Sequence, residues 1–296
     1  MFGLFSSLES VTVTRPDGTT LALLASLPEG EATATVVCLH GFTGAKEDFL
    51  LALPELSARG YAAYAPDARG VHMSRSGGPF DLATLAADVV AVVESVRGPV
   101  YLVAHSFGGL VAQRAVVARP DLVAGLVLVC SGPAGFRASA PLIPITIERV
   151  TAFQQLLDDH DLADAWDLKT AHENVEMHPA MASFLRERFV AGSHAAAVST
   201  IADALDADDV IDAVASSGVP THVMYGERDG TWAQVTQNEM ARRLGTEPIV
   251  VPDSTHLPFL ENVDAFVDAI AAVVDGHRLP SPAGQTTAER RRSKGQ

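Results

Sequence analysis

Three residues of types that do chemistry only in company stand at matched places in this chain: Ser106 in "YLVAHSFGGLVAQRAVV", Asp229 in "VMYGERDG" and His256 in "VPDSTHLPFLENVDAF". A serine hydroxyl is a poor nucleophile unless a neighbouring base takes its proton and a third group orients that base. An imidazole supplies the base, and a carboxylate facing its other nitrogen fixes the tautomer. Each of the three lies just past an apolar β-type run, so all would meet at the carboxyl ends of strands. The chemistry of such a set is acyl transfer through the serine. Taken singly, each has a plainer reading: a helix cap for Ser106, a turn residue before Gly230 for Asp229, a surface loop imidazole for His256. Two other acids, Glu227 and Asp253, lie near the same strand ends, but neither holds the place after Gly-Glu-Arg.

The stretch around Ser106 has the form of a strand-turn-helix elbow, with an apolar run to Ala104-His105, then the serine, then Phe107-Gly108-Gly109 and a helix-periodic run. Ala104 and Gly108, two before and two after, are small. That matters because the central residue of an elbow is held in a strained backbone conformation and bulky flanks would strike the neighbouring strand and helix. An oxyanion developing at an attacked carbonyl needs donors. "VVCLHGFTGAKEDF" supplies His40-Gly41-Phe42 after the third strand, where a glycine lets the backbone turn its N–H groups inward. The donors are assigned to the main-chain N–H groups of Phe42 and Phe107, whose side chains become pocket walls. No metal or organic cofactor is needed, and His172 and His178 lack the i, i+4 spacing of a helical zinc pair.

The elements that must position these residues follow from periodicity. Short Val/Leu/Ala/Tyr-rich runs alternate with longer helix-periodic ones, the pattern of βα units around a mostly parallel sheet. Strands are expected at 8–14, 20–26, 34–39, 61–65, 99–104, 123–130, 221–225 and 247–251, and helices at 46–59, 81–96, 107–118, 232–244 and 258–274. The turn "RPDGT" joins the first two strands as a hairpin, so the sheet begins antiparallel. From Pro133 to Gly218 no run of sheet length appears, and the sequence reads as a helical insertion. Its Trp166, Met177, Met181 and Phe184, with Phe136, are candidates to line an apolar acyl pocket; the alternative at helical spacing is that they form the insertion's own core.

Composition excludes several classes. The 296 residues are 48% hydrophobic and 19% charged, enough for a sizeable core. No apolar run reaches the roughly 18 residues of a membrane span, and "MFGLFSSLES" lacks a basic segment followed by a long apolar one, so the expected location is cytoplasmic. Cys38 and Cys130 lie in apolar runs as small buried hydrophobes rather than disulfide partners. The net charge is −15, and the last twenty residues carry five of the 21 Arg/Lys and one of the 36 Asp/Glu, leaving 16 basic against 35 acidic residues in the rest. That balance argues against a nucleic-acid partner. The Pro/Gly/Ser/Thr-rich, then basic end reads as disordered.

"HGFTG", "DARGVHMS", "VAHSFGG", "YGERD" and "STHLPFLENVDAF", in that order over residues 36 to 267, resemble the α/β-hydrolase superfamily. Ala104 stands where the commoner elbow has glycine, and Val71-His72 departs from the usual loop pattern. The resemblance implies an α/β-hydrolase fold: an eight-stranded, mostly parallel sheet flanked by helices, with a helical cap between the sixth and seventh strands and a site beneath it. It divides the chain into core 1–132, cap 133–218, core 219–276 and tail 277–296. It also implies a structural role for His105 and an orienting role for His40. A serine nucleophile sets the chain apart from the epoxide hydrolases and haloalkane dehalogenases of this fold, which carry Asp there. The expectation is a serine hydrolase of a carboxylic ester, lactone or thioester, acting on a small, neutral, apolar substrate because the acidic body disfavours anions. The alternatives are a C–C bond hydrolase or cofactor-free haloperoxidase, and, in another class, a ligand-binding sensor that keeps the triad.

Overall fold

A computed structural model describes residues 8–139, 144–173 and 177–276; the basic tail expected to be disordered lies outside them. The chain opens with β1 (Leu8–Thr14) and β2 (Thr20–Ser26), an antiparallel hairpin whose turn closes with the Gly18 N–H donating to Arg15 O at 2.9 Å. There follow β3 (Ala34–Leu39), α1 (Ala52–Ala58), β4 (Tyr61–Pro66), α2 (Leu82–Ser95), β5 (Val100–His105), α3 (Phe107–Ala118) and β6 (Gly125–Val129). Then come α4 (Pro144–Asp159), α5 (Leu162–Glu173), α6 (Pro179–Val190), α7 (His194–Asp206) and α8 (Ile211–Ser216). The chain returns to the sheet with β7 (Thr221–Gly226), α9 (Gln234–Arg243) and β8 (Ile249–Val251), then α10 (Pro258–Glu261) and α11 (Val263–Val274).

One eight-stranded sheet results, in the order β1-β2-β4-β3-β5-β6-β7-β8. β2 is antiparallel to both neighbours, and every pairing from β4 to β8 is parallel. The central strands read as continuous apolar runs because both faces are covered: every residue of β3 and β6 is buried. Helices α1 and α11 pack together, and α2 and α8 pack on α3, so helices flank the sheet. Leu102, Leu110, Leu126, Leu128, Phe49, Phe259 and Phe266 are wholly buried within that framework.

Two expected helices are each divided. The 46–59 segment begins as a 3-10 turn, Lys46–Phe49, because the Lys46 N–H and ammonium both go to the buried Asp67, at 2.9 and 2.7 Å, which anchors the first turn away from the helix axis. The 258–274 segment breaks at Asn262, whose backbone is non-helical and whose side chain caps α11 by accepting from the Ala265 N–H. Among the described residues, α4 to α8 fill the interval between β6 and β7. They hold a small core of their own, Phe153, Leu157, Leu162, Ala165 and Ile201. The chain enters and leaves this helical segment side by side, with the Phe136 and Arg137 N–H groups donating to Ala204 and Leu205 carbonyls at 2.9 Å.

Phe266 tests the core, being wholly buried on α11. Phe266→Ala should lower unfolding free energy by about 3–5 kcal/mol, seen as a lower urea midpoint at unchanged slope; a loss below 1 kcal/mol would mean that α11 is not docked on the sheet as described.

Candidate active site

The carboxyl ends of β3, β5, β7 and β8 bring the chemistry-bearing residues together. Ser106 follows β5 directly and takes φ 51 and ψ −117, a region that strains any side chain with a Cβ. It is held there from two sides. Its N–H donates to Val129 O at 2.9 Å, and its carbonyl accepts from the Gly109 N–H at 2.9 Å and from Ser131 Oγ at 2.8 Å. The small flanks have a geometric reason, since a Cβ on Gly108 would lie 2.6 Å from His40 O and one on Gly41 2.8 Å from His105 Nδ1. α3 begins at Phe107, whose N–H, first of the helix, has no intrahelical acceptor.

His256 lies in the loop after β8 and Asp229 in the loop after β7. The His256 Nδ1–H donates to Asp229 Oδ1 at 3.1 Å, which leaves Nε2 as the unprotonated nitrogen. Asp229 has no exposed side-chain surface, whereas His256 keeps 24% of its own. The carboxylate is fixed by the Thr231 N–H on Oδ1 at 2.9 Å and by Gln237 Nε2 on Oδ2 at 3.0 Å. Ser106 and His256 line one pocket with Phe42, Phe107, Leu110, Phe136, Val150 and Trp232. Among the described residues no hydrogen bond joins Ser106 Oγ to His256; such contacts are often loose until substrate binds. Glu227 and Asp253 are exposed outside the pocket, where the Asp253 N–H donates to Glu227 Oε2 at 3.2 Å.

Of the expected pocket residues, Phe136 is there, buried and stacked on Trp232 with ring centroids 4.2 Å apart. Trp166 is half-buried against Phe189, 4.8 Å between centroids, in the helical segment's own packing. Met177, Met181 and Phe184 require a correction: they are 41%, 50% and 38% exposed and line neither cavity beside the site. The opening turns of α6 stand outward, and helical spacing marks a stripe without saying which way it faces. Two neighbours of the site had no signal of their own. Trp232 follows Asp229 by three residues, and its position in the loop after β7 is the only sequence clue. Cys130 looked like one more buried hydrophobe.

Cys130 turns at φ 47 at the end of β6, and its Sγ donates weakly to Thr255 O at 3.7 Å. Cys130, Asp229 and His256 each place a ligand-type atom within 4.8 Å of the others. Burial, reinforced by the Asp229 charge, pushes the thiol well up, so it stays protonated, and the two other groups are engaged with each other. A second such cluster, Glu47, Asp67 and His72, already encloses a cation, the Lys46 ammonium, at 2.7 Å from both carboxylates.

His105 is built in as a neutral group, and His40 is held at both ring nitrogens. His105 Nε2–H donates to the carbonyl of His256 at 2.9 Å, and burial holds its pKa well below the usual imidazole value. His40 donates from Nδ1 to Gly41 O at 2.8 Å and accepts the Ala68 N–H on Nε2 at 3.0 Å.

A family model described as the alpha/beta hydrolase family matches residues 36–269. The chain is 24% identical over 257 residues to the pimeloyl-(acyl-carrier protein) methyl ester esterase of Aliivibrio fischeri strain MJ11, covering 84% of this chain and 96% of that one. It is 26% identical over 277 residues to the esterase of the same name from Neisseria meningitidis, covering 89% and 83%. Among solved structures, an esterase from Exiguobacterium antarcticum superposes with TM-score 0.74 at 21% identity, over 90% of this chain and all of that one.

Burial of a neutral His105 has a pH consequence. The unfolded imidazole takes up a proton below about pH 6.5 and the folded one does not. The stability present above that pH is therefore lost as pH falls from about 6.5 toward the depressed folded value. Between pH 8 and pH 5 the urea midpoint of the native protein should fall more steeply than that of His105→Gln, which keeps a donor without a titrating group. Parallel profiles would show that His105 titrates normally in the fold.

Proposed function

The chain belongs to the alpha/beta hydrolase family, and from that premise we propose that it hydrolyses carboxylic esters through an acyl-enzyme on Ser106. One observation carries the reading: a serine strained to φ 51 opens on the same pocket as an imidazole whose other nitrogen is held by a buried carboxylate. Ser106 Oγ attacks the ester carbonyl carbon while His256 Nε2 takes the hydroxyl proton. The N–H groups of Phe42 and Phe107 stabilise the resulting oxyanion, and Asp229 keeps the imidazole in the tautomer that leaves Nε2 basic. The carbon–oxygen bond to the leaving alcohol then breaks, and that oxygen receives the proton from His256. Water repeats the sequence: it loses a proton to His256, its oxygen joins the acyl carbon, Ser106 recovers the proton, and the acid departs.

The helices between β6 and β7 act in this reading as a cap over the pocket. Apolar walls at Leu110, Phe136, Val150 and Trp232 favour a neutral acyl group or lactone, and the acyl methyl ester in the names of the two relatives is of the same chemical class.

Ser106→Ala and Asp229→Asn should each lower kcat/KM for 4-nitrophenyl butyrate by about 10³-fold or more. Glu227→Gln and Asp253→Asn, at exposed positions, should change it less than threefold. Near-native turnover by Ser106→Ala would remove the acyl-enzyme, and a loss at Glu227→Gln equal to that at Asp229→Asn would reassign the acid.

A further inference from the structure

Two cavities meet at the site, and only one of them reaches Ser106. Counted with the space open to solvent, the pocket of Ser106 and His256 has about 510 Å³ and its neighbour, larger by that measure alone, about 900 Å³; the space enclosed within them is about 140 and 80 Å³. The larger cavity runs beneath the loop after β4, between α2 and α3 on one side and α6 and α7 on the other, past Leu39, Val89, Val111, Leu162 and Ala197. Phe42 and Phe107 line both. Phe107 is anchored in α3 and 6% exposed, whereas Phe42 is half-buried on a four-residue loop closed by the Gly44 N–H on Gly41 O at 3.1 Å. The Phe42 ring rests on Phe153 of α4, 5.7 Å between centroids, and touches both the main core and that of the helical segment.

The charged side chains in the larger cavity's wall are paired inside the protein: Arg69 with Asp88 at 2.7 Å, Asp67 with Lys46 at 2.7 Å, and Arg188 with Asp48 at 2.6 Å. The rest of the lining is mostly aliphatic and aromatic. An anionic group would lose its hydration there to meet cations already paired with carboxylates, the Arg188 Nε–H being the donor left unpartnered, whereas each methylene buried gains about fourfold in affinity.

We propose that the larger cavity seats the distal half of a long, neutral acyl chain, and that the Phe42 side chain is the gate between it and the Ser106 pocket. The proposal rests on the ester-hydrolase reading, which puts the carbonyl end at Ser106. The first carbons of the chain fill the space bounded by Leu110, Phe136 and Trp232. A longer chain displaces the Phe42 ring and continues toward Val111 and Ala197. Chain length is thereby sensed by the side chain of a residue whose backbone N–H faces the oxyanion.

Two variants and two readouts test this. Phe42→Ala opens the partition, and Ala197→Phe fills the larger cavity from α7, a separate element from any that carries Ser106, Asp229 or His256. The ratio of kcat/KM for 4-nitrophenyl decanoate to that for the butyrate should rise at least tenfold in Phe42→Ala and fall at least tenfold in Ala197→Phe, since room for two methylenes is worth about 16-fold. Binding of decan-1-ol, which no esterase cleaves, to Ser106→Ala protein should weaken at least tenfold when Ala197→Phe is added. If Ala197→Phe does not fold, the Phe42→Ala ratio and the decanol affinity of Phe42→Ala/Ser106→Ala, expected to tighten, decide in its place. An unchanged ratio together with decanol affinity indifferent to these substitutions overturns the proposal. Failure of the ester-hydrolase reading shows up separately, as turnover retained in Ser106→Ala, because decanol binding needs no catalysis.

Discussion

A serine at φ 51 and ψ −117 is out of its comfortable backbone range by roughly 1–3 kcal/mol, so the surrounding fold must hold it. What holds it is the junction of β5, β6 and α3. The Ser106 N–H continues the ladder to β6 through Val129 O, while its carbonyl takes the Gly109 N–H and the Ser131 hydroxyl. β6 can supply that acceptor only because it is locked between β5 and β7 with every residue buried. The strain sets Oγ out from the strand direction into the pocket instead of back into the sheet. A looser core would let the turn relax, and the hydroxyl would lose its aim before the protein lost its fold.

The loops that complete the site are tied to one another by buried polar groups rather than by packing alone. His40 joins the loop after β3 to the one after β4 by accepting the Ala68 N–H. Lys46 and Asp67 join the same two loops by an ion pair in which neither side chain is more than 3% exposed. His105 ties the elbow to the His256 loop through a carbonyl. Removing one partner of the Lys46–Asp67 pair costs about 3–5 kcal/mol, because the charge left behind has no water. These links therefore act more as constraints on loop position than as a surplus of stability.

That division explains what could be read from the chain by itself. β3, β5 and β6 are apolar without alternation because both faces are covered, so their extents were visible as runs, and Ser106, Asp229 and His256 stood out as polar residues at run ends. A stretch without any run of sheet length also marked where helices stand between β6 and β7. The sequence did not carry which way a helix turns. The stripe of Met181 and Phe184 has the spacing of a buried face, but its exposure depends on where α5 and α7 lie, a long-range matter that helical period does not encode. Trp232 stacking on Phe136 joins positions far apart in the chain, and the paired cavities are made by many separate stretches of it at once. Lys46 gave the opposite lesson, because a lysine at a helix start looks solvated until its carboxylate, Asp67, is brought to it by β4.

Two electrostatic effects act on a candidate substrate, and their magnitudes decide between them. The carboxylates of the helical segment, such as Asp158, Asp161, Asp164 and Asp167, are exposed, and Asp167 is paired with Arg186. Their field at the entrance is screened over about 8 Å at physiological salt, and exposed charges of this kind are worth at most about 1 kcal/mol each. Inside, the ionisable groups near Ser106 are committed, Asp229 to His256, Thr231 and Gln237, with the Cys130 thiol held protonated beside them, while the Trp232 Nε1–H is left without a partner. A free anion brought to Leu110, Phe136 and Trp232 would forfeit its hydration with no unpaired cation to meet it, at a cost of several kcal/mol. In the proposed ester-hydrolase reading, selection against charge would therefore reside in the apolar walls of the pocket, where salt does not reach it, and the acidic surface would add only a correction that salt removes.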